Sequence, residues 1–108
     1  MDLTQKKCVA CEGAETPLTR TEVEIMLEQT PGWRISDDGK KINREFVFKD
    51  FVESMAFVNK VAEIAENEGH HPDLHVYYSK VMIELWTHAI NGLFENDFIV
   101  AAKINKLL

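Results

Sequence analysis

The residues with chemistry to offer come in a fixed order: Glu66, then His70 and His71 directly before Pro72, then Tyr78, His88 and Asp97. Three imidazoles and two carboxylates are thus gathered in the second half of a short chain. Imidazole titrates near neutrality, with an unperturbed pKa of about 6.5, so a site holding several can both give and take protons. The pattern reads as an acid/base pocket.

Such a pocket needs elements to hold it. Thr19 and Glu22 form a capping box, with the hydroxyl accepting from the first free amides and the carboxylate reaching back. A short helix follows, with Val23, Met26 and Leu27 on one stripe, and Pro31-Gly32 stops it. Residues 33 to 36 read as a strand, Asp37-Asp38-Gly39 as a turn, and Lys41 to Phe48 as a second strand with Ile42, Phe46 and Phe48 on one face. Asp50 and Glu53 open the clearest helix, which runs to Gly69. Beyond Pro72, Leu74, Val76 and Tyr78 alternate with polar positions, and Val81, Ile83 and Leu85 alternate with Met82, Glu84 and Trp86, across a tight link at Ser79-Lys80. A last helix spans about Glu95 to Leu107 and buries Phe98, Ile99, Ala102 and Ile104.

The order helix, two strands, helix, two strands, helix predicts an α+β fold, a four-stranded antiparallel sheet with three helices packed on one face. Residues 1–18 carry no apolar periodicity and are expected as a loosely ordered lead-in to a single domain over residues 19–108. In this scheme Glu66 lies in the last turn of the long helix, His70 and His71 at the helix-to-strand junction, His88 just past the fourth strand, and Asp97 at the start of the last helix. Ends of elements are where side chains converge while a rigid scaffold holds them.

Composition narrows the function. A chain of 108 residues, 45% hydrophobic and 28% charged, supports one core. Its net charge of -6 argues against nucleic acid, because affinity for phosphates comes from clustered Lys and Arg. No apolar run approaches the roughly 18 residues that a membrane helix needs, and the N-terminus lacks a signal peptide's apolar stretch, so no membrane partner and a cytoplasmic location are expected. Cys8 and Cys11 form one Cys-x-x-Cys pair, half of what a structural zinc site requires, and read first as a reduced pair in the lead-in.

The ordered set Glu66-x-x-x-His70-His71-Pro72, Tyr78, His88, Asp97 resembles the signature of the pterin-4a-carbinolamine dehydratases. The similarity runs from Pro17 to Leu108 and includes Pro31-Gly32-Trp33, the stretch from Lys41 to Phe46, and Lys80-Val81. That family removes water from a 4a-hydroxytetrahydropterin to give a quinonoid dihydropterin. The resemblance implies that His71 and His88 form the acid/base pair beside the C4a hydroxyl, that His70 helps bind the pterin and serves its N5 side, and that Glu66 and Asp97 orient imidazoles or favour their protonated forms. It implies that Trp33 walls the pocket against the planar ring. It calls for a small-molecule pterin substrate, no metal or other cofactor, and a homodimer or homotetramer.

Phe94 departs from the pattern, since relatives carry Ser or Thr at this position as the cap of the last helix. Loss of such a cap costs about 0.5 to 2 kcal/mol. A later start, on Asn96, is then open to the helix and would move Asp97 relative to His88. Two other readings compete with the dehydratase: a protein-binding module using an edge strand, and a metal site from His70, His71, His75 and His88, which Pro72 disfavours by breaking the helical spacing of His71 and His75. His75 falls on the polar phase of its strand and reads as surface or subunit contact, and Trp86 reads as packing.

Overall fold

The computed structural model describes residues 2–10, 13 and 15–108. Its elements are helix α1 (Arg20–Glu28), strands β1 (Arg34–Ile35) and β2 (Ile42–Val47), helix α2 (Phe51–Glu68), strands β3 (Asp73–Val76) and β4 (Lys80–Leu85), and helix α3 (Glu95–Asn105). The four strands form one antiparallel sheet in the order β1-β2-β4-β3. This is the α+β architecture that the element order predicts.

Period-two patterning explains the register. Ile42 lies opposite Leu85 and Phe46 opposite Val81 across β2 and β4, while Leu74 faces Ile83 and Val76 faces Val81 across β3 and β4. The fully buried members of this set meet Phe57, Val61 and Ala65 of α2 and most of α3 in one core. Each large apolar side chain so buried contributes about 1.5–3 kcal/mol. Helix α3 is enclosed on nearly every side: Phe98 through Ala102, and Ile104, are all buried, more than its helical stripe alone implies.

Local chemistry sets the helix ends. The Thr19 hydroxyl accepts from the Glu22 amide at 3.2 Å and the Glu22 carboxylate accepts from the Thr19 amide at 2.8 Å, which completes the expected capping box. Asp50 caps α2 by accepting from the Glu53 amide at 2.9 Å. Gly69 ends α2 in the left-handed region at φ 66°, where a side chain would be strained.

One expectation changes, and one open choice is settled. The third strand ends at Val76, so Tyr78 is not a core-phase strand residue but lies 70% exposed in the turn to β4, where its carbonyl accepts from the Ser54 hydroxyl. Helix α3 starts at Glu95, as expected, rather than at the alternative Asn96, although Phe94 offers no side-chain cap. Instead Asp97 Oδ2 accepts from the Phe94 amide at 3.0 Å and the Asp97 amide donates to the Phe94 carbonyl, which satisfies both groups without a hydroxyl.

Within the lead-in, residues between 3 and 9 make specific contacts with the rest of the domain. Leu3 is buried in the core, and Lys6 pairs with Glu95 at 2.6 Å. The Cys8 amide donates to Glu68, and Val9 exchanges two hydrogen bonds with the Asn96 side chain. The partners are about 60 to 90 residues away in sequence, so no local pattern announces them. Cys11, the second half of the Cys-x-x-Cys pair, lies outside the described residues.

Candidate active site

After Gly69 turns the chain out of α2, the His70 amide still donates to Ala65, so His70 leaves the helix at a fixed angle. Its Nε2 meets Asp97 Oδ1 at 2.6 Å, with 12% of the imidazole side chain and none of the carboxylate exposed. The other oxygen of Asp97 accepts from the Thr87 hydroxyl at 2.9 Å and from the Phe94 amide. One buried carboxylate thus joins the α2–β3 junction, the segment after β4 and the first turn of α3.

His71, one residue on, points its Nε2 to Glu66 Oε2, also at 2.6 Å, but here 61% of the imidazole and 76% of the carboxylate side chain are exposed. His88 stands in a short 3-10 turn, His88–Ile90, closed by hydrogen bonds between Thr87 and Gly92 in both directions and by Asn91 at φ 50°. Thr87 therefore braces His88 through the backbone and reaches the Asp97 carboxylate that holds His70.

Trp86 packs against His88 in a T-shaped contact, 4.1 Å between ring centroids at 85°. The indole is itself fixed: its N–H donates to Asp73 at 3.2 Å and Lys41 Nζ lies 4.8 Å from its centre. A cavity of about 240 Å³ is lined by His70, His71, His88, Trp86, Val9 and Ala10 among others, close to the lower size limit of small-molecule sites. A larger hollow of about 540 Å³ on the open sheet face, beside Arg34, Arg44, Glu45 and Glu84, contains none of the imidazoles.

The expected wall, Trp33, is elsewhere. It is buried in the core, packs its edge against Phe46, and donates its indole N–H to Asn105 at 2.9 Å. Asn105 ends α3 whereas Asp97 is in its first turn, and eight residues of helix separate them by about 12 Å. The aromatic residue beside the histidines is Trp86, which the sequence reading left as packing. Its signal was present: in the alternation of β4, Trp86 falls on the phase opposite Val81, Ile83 and Leu85, two residues before His88. Thr87, Val9, Ala10 and Asn96 were also missed; Val9 and Asn96 lie 87 residues apart in sequence, so no local pattern joins them.

His75 lies apart from the cavity, its Nε2 3.0 Å from Glu84 on the neighbouring strand. Among the described residues no group of three or more His, Cys, Asp or Glu is arranged to hold a metal ion, and no helix is long and apolar enough to cross a membrane.

Two titrating groups beside the site depart from their ordinary values. Burial, reinforced by the negative charge of Glu68, pushes the Cys8 thiol up to about 12. Burial works against ionisation of Glu68 as well, but the Lys103 ammonium at 2.5 Å and the Cys8 amide outweigh it and hold the carboxyl below its ordinary value.

A protein of similar sequence from Nitrosospira multiformis is 51% identical over 106 residues, covering 98% of this chain and 92% of its own, and one from Halorhodospira halophila is 46% identical over 107 residues, covering 99% and 98%. Both are named among the pterin-4-alpha-carbinolamine dehydratases. A solved structure described as a transcriptional coactivator/pterin dehydratase from Brucella melitensis superposes with a TM-score of 0.81 at 36% identity, over 85% of this chain and 98% of that one. A pterin dehydratase-like protein described as a RuBisCO assembly factor in the alpha-carboxysome shares the fold alone, with a TM-score of 0.61 at 23% identity over 70% of this chain and 88% of that one. The model of the family described as pterin 4 alpha carbinolamine dehydratase matches residues 16–107, and the chain belongs to that family.

Proposed function

We propose that this protein dehydrates a 4a-hydroxytetrahydropterin to the quinonoid dihydropterin. The observation that carries the reading is the convergence of His70, His71 and His88 on one small cavity, with carboxylates 2.6 Å from two of them. Dehydration needs a proton delivered to the 4a oxygen as its bond to C4a breaks, and the N5 proton removed as the C4a=N5 bond forms. Water leaves, no electrons are exchanged with a second reactant, and imidazoles near neutrality suit both transfers.

His71 and His88 take the acid and base roles at the C4a hydroxyl, and His70 binds the pterin and serves N5. Because an ionised carboxylate only accepts, its hydrogen bond to His70 puts that ring's proton on Nε2 and leaves Nδ1 as the basic atom. Asp97 thereby sets the tautomer, and Glu66 does the same for His71 in a more exposed setting. Trp86 replaces Trp33 as the aromatic wall, since it lines the cavity and contacts His88.

The test is to add purified protein to freshly generated 4a-carbinolamine and follow the loss of its absorbance. Acceleration over the spontaneous rate is expected, and its absence rejects the activity. His71→Ala and His88→Ala should each lower the rate by about 10²-fold or more, as loss of a general acid or base does. An unaffected double variant would remove both from the mechanism.

A protein-binding role is the second reading, favoured by the coactivator description of the Brucella relative. Pairing of copies accompanies either role and is supported by the exposed Val47, Phe51 and Val52. Sedimentation at micromolar concentration should show a dimer or tetramer, and a lone monomer would reject it.

A further inference from the structure

The segment from Lys6 to Ala10 precedes the residues that the family model matches, yet Val9 and Ala10 line the cavity beside the histidines. We propose that this segment is a substrate-contacting strap whose apolar side chains limit what the pterin pocket admits, and that Asn96 is the positioning residue that holds it there. The proposal rests on the dehydratase reading and adds a specificity element to it.

The anchoring is more than a chain end resting on a surface. Asn96, itself buried, accepts from the Val9 amide at 3.0 Å through Oδ1 and donates to the Val9 carbonyl at 2.7 Å through Nδ2. Both backbone polar groups of Val9 are thereby occupied, so Val9 offers the cavity only its isopropyl group. Val9 is 60% exposed, an apolar residue that the other described residues leave open at the cavity. One residue earlier, the Cys8 amide donates to Glu68 at 2.9 Å, and Glu68 is held in turn by Lys103.

The anchors sit beside the groups that orient the imidazoles. Asn96 holds the strap and its neighbour Asp97 holds His70, both from the first turn of α3. Glu68 holds the strap and Glu66 holds His71, both from the last turn of α2. The same two helix ends therefore fix the wall and the acid/base groups in one frame. Small-molecule sites pair a few directed polar groups with apolar walls, and here the histidines are the first and the strap the second.

Contact between strap and substrate predicts an effect on binding rather than on proton transfer. Ala10 is exposed, so Ala10→Trp leaves the core untouched while placing bulk at the cavity. Assayed on generated 4a-carbinolamine, this variant should raise KM about tenfold or more with kcat within about twofold and an unchanged melting temperature, the signature of lost uniform binding. Asn96→Ala, which frees the strap but keeps Asp97, should raise KM in the same direction and leave the pH profile of kcat unchanged.

An Ala10→Trp variant with the parent's KM overturns the strap while leaving the dehydratase reading in place. So does an Asn96→Ala variant that loses kcat and melting temperature together at constant KM, since that is the mark of a structural tie alone. If the parent protein itself fails to accelerate the reaction, the dehydratase reading falls and the strap's role falls with it.

Discussion

His70–Asp97 and His71–Glu66 are the same interaction by distance, 2.6 Å in each case, and opposites by environment. In the first the carboxylate is wholly enclosed and accepts from three groups on three segments. In the second both partners stand largely in water. Exposed ion pairs contribute about 0–1 kcal/mol, because solvent screens them and side-chain entropy opposes them. Removing one member of a buried, multiply bonded set leaves donors stranded, at about 1–3 kcal/mol for each polar group left unpaired. Contact distance alone therefore says little about which imidazole is held rigidly.

The sharpest way to break this contrast is to change both carboxylates. Asp97→Asn should lower kcat by about 10²-fold, through loss of the His70 tautomer and orientation, and should lower the unfolding free energy by about 2–4 kcal/mol in urea melts. Glu66→Gln should change stability by less than about 1 kcal/mol and reduce the rate far less than Asp97→Asn. Equal losses from the two variants would refute the distinction.

A smaller effect separates site from core. Trp33→Phe removes the indole hydrogen bond to Asn105 and should cost about 1 kcal/mol in stability with kcat/KM unchanged. A loss of activity without a loss of stability would return Trp33 to the pocket.

The smallest effect is a pH dependence. The folded-state pKa of Glu68 lies below its ordinary 4.5, so the stability it contributes is present above that value and is lost as pH falls through the lowered one. Melts of the parent and Glu68→Gln should therefore differ most near neutrality and converge in acid below pH 4.5. A gap that widens on acidification would contradict the ion pair with Lys103.

Legibility in the sequence followed the range of the interactions. The capping box at Thr19, the Asp50 cap, the Gly69 stop and the alternation in β2 and β4 are set by residues within a few positions of one another, and all appear where the patterns put them. The histidines were legible because their order resembles a family signature, and the structure brings all three to one cavity. Trp33 misled because an aromatic residue near a signature fits a wall as readily as a core, and its partner Asn105 is 72 residues away. Phe94 misled for the opposite reason: a missing hydroxyl suggested a shifted helix, while a carboxylate three residues on supplied the substitute.

That substitute has a consequence for measurement. The Phe94 amide proton points at the very carboxylate that steadies His70, so its exchange with deuterated water is governed by how often the start of α3 comes apart. A single slow NMR resonance would thus count the openings of the frame around His70 in the resting molecule, with no ligand added.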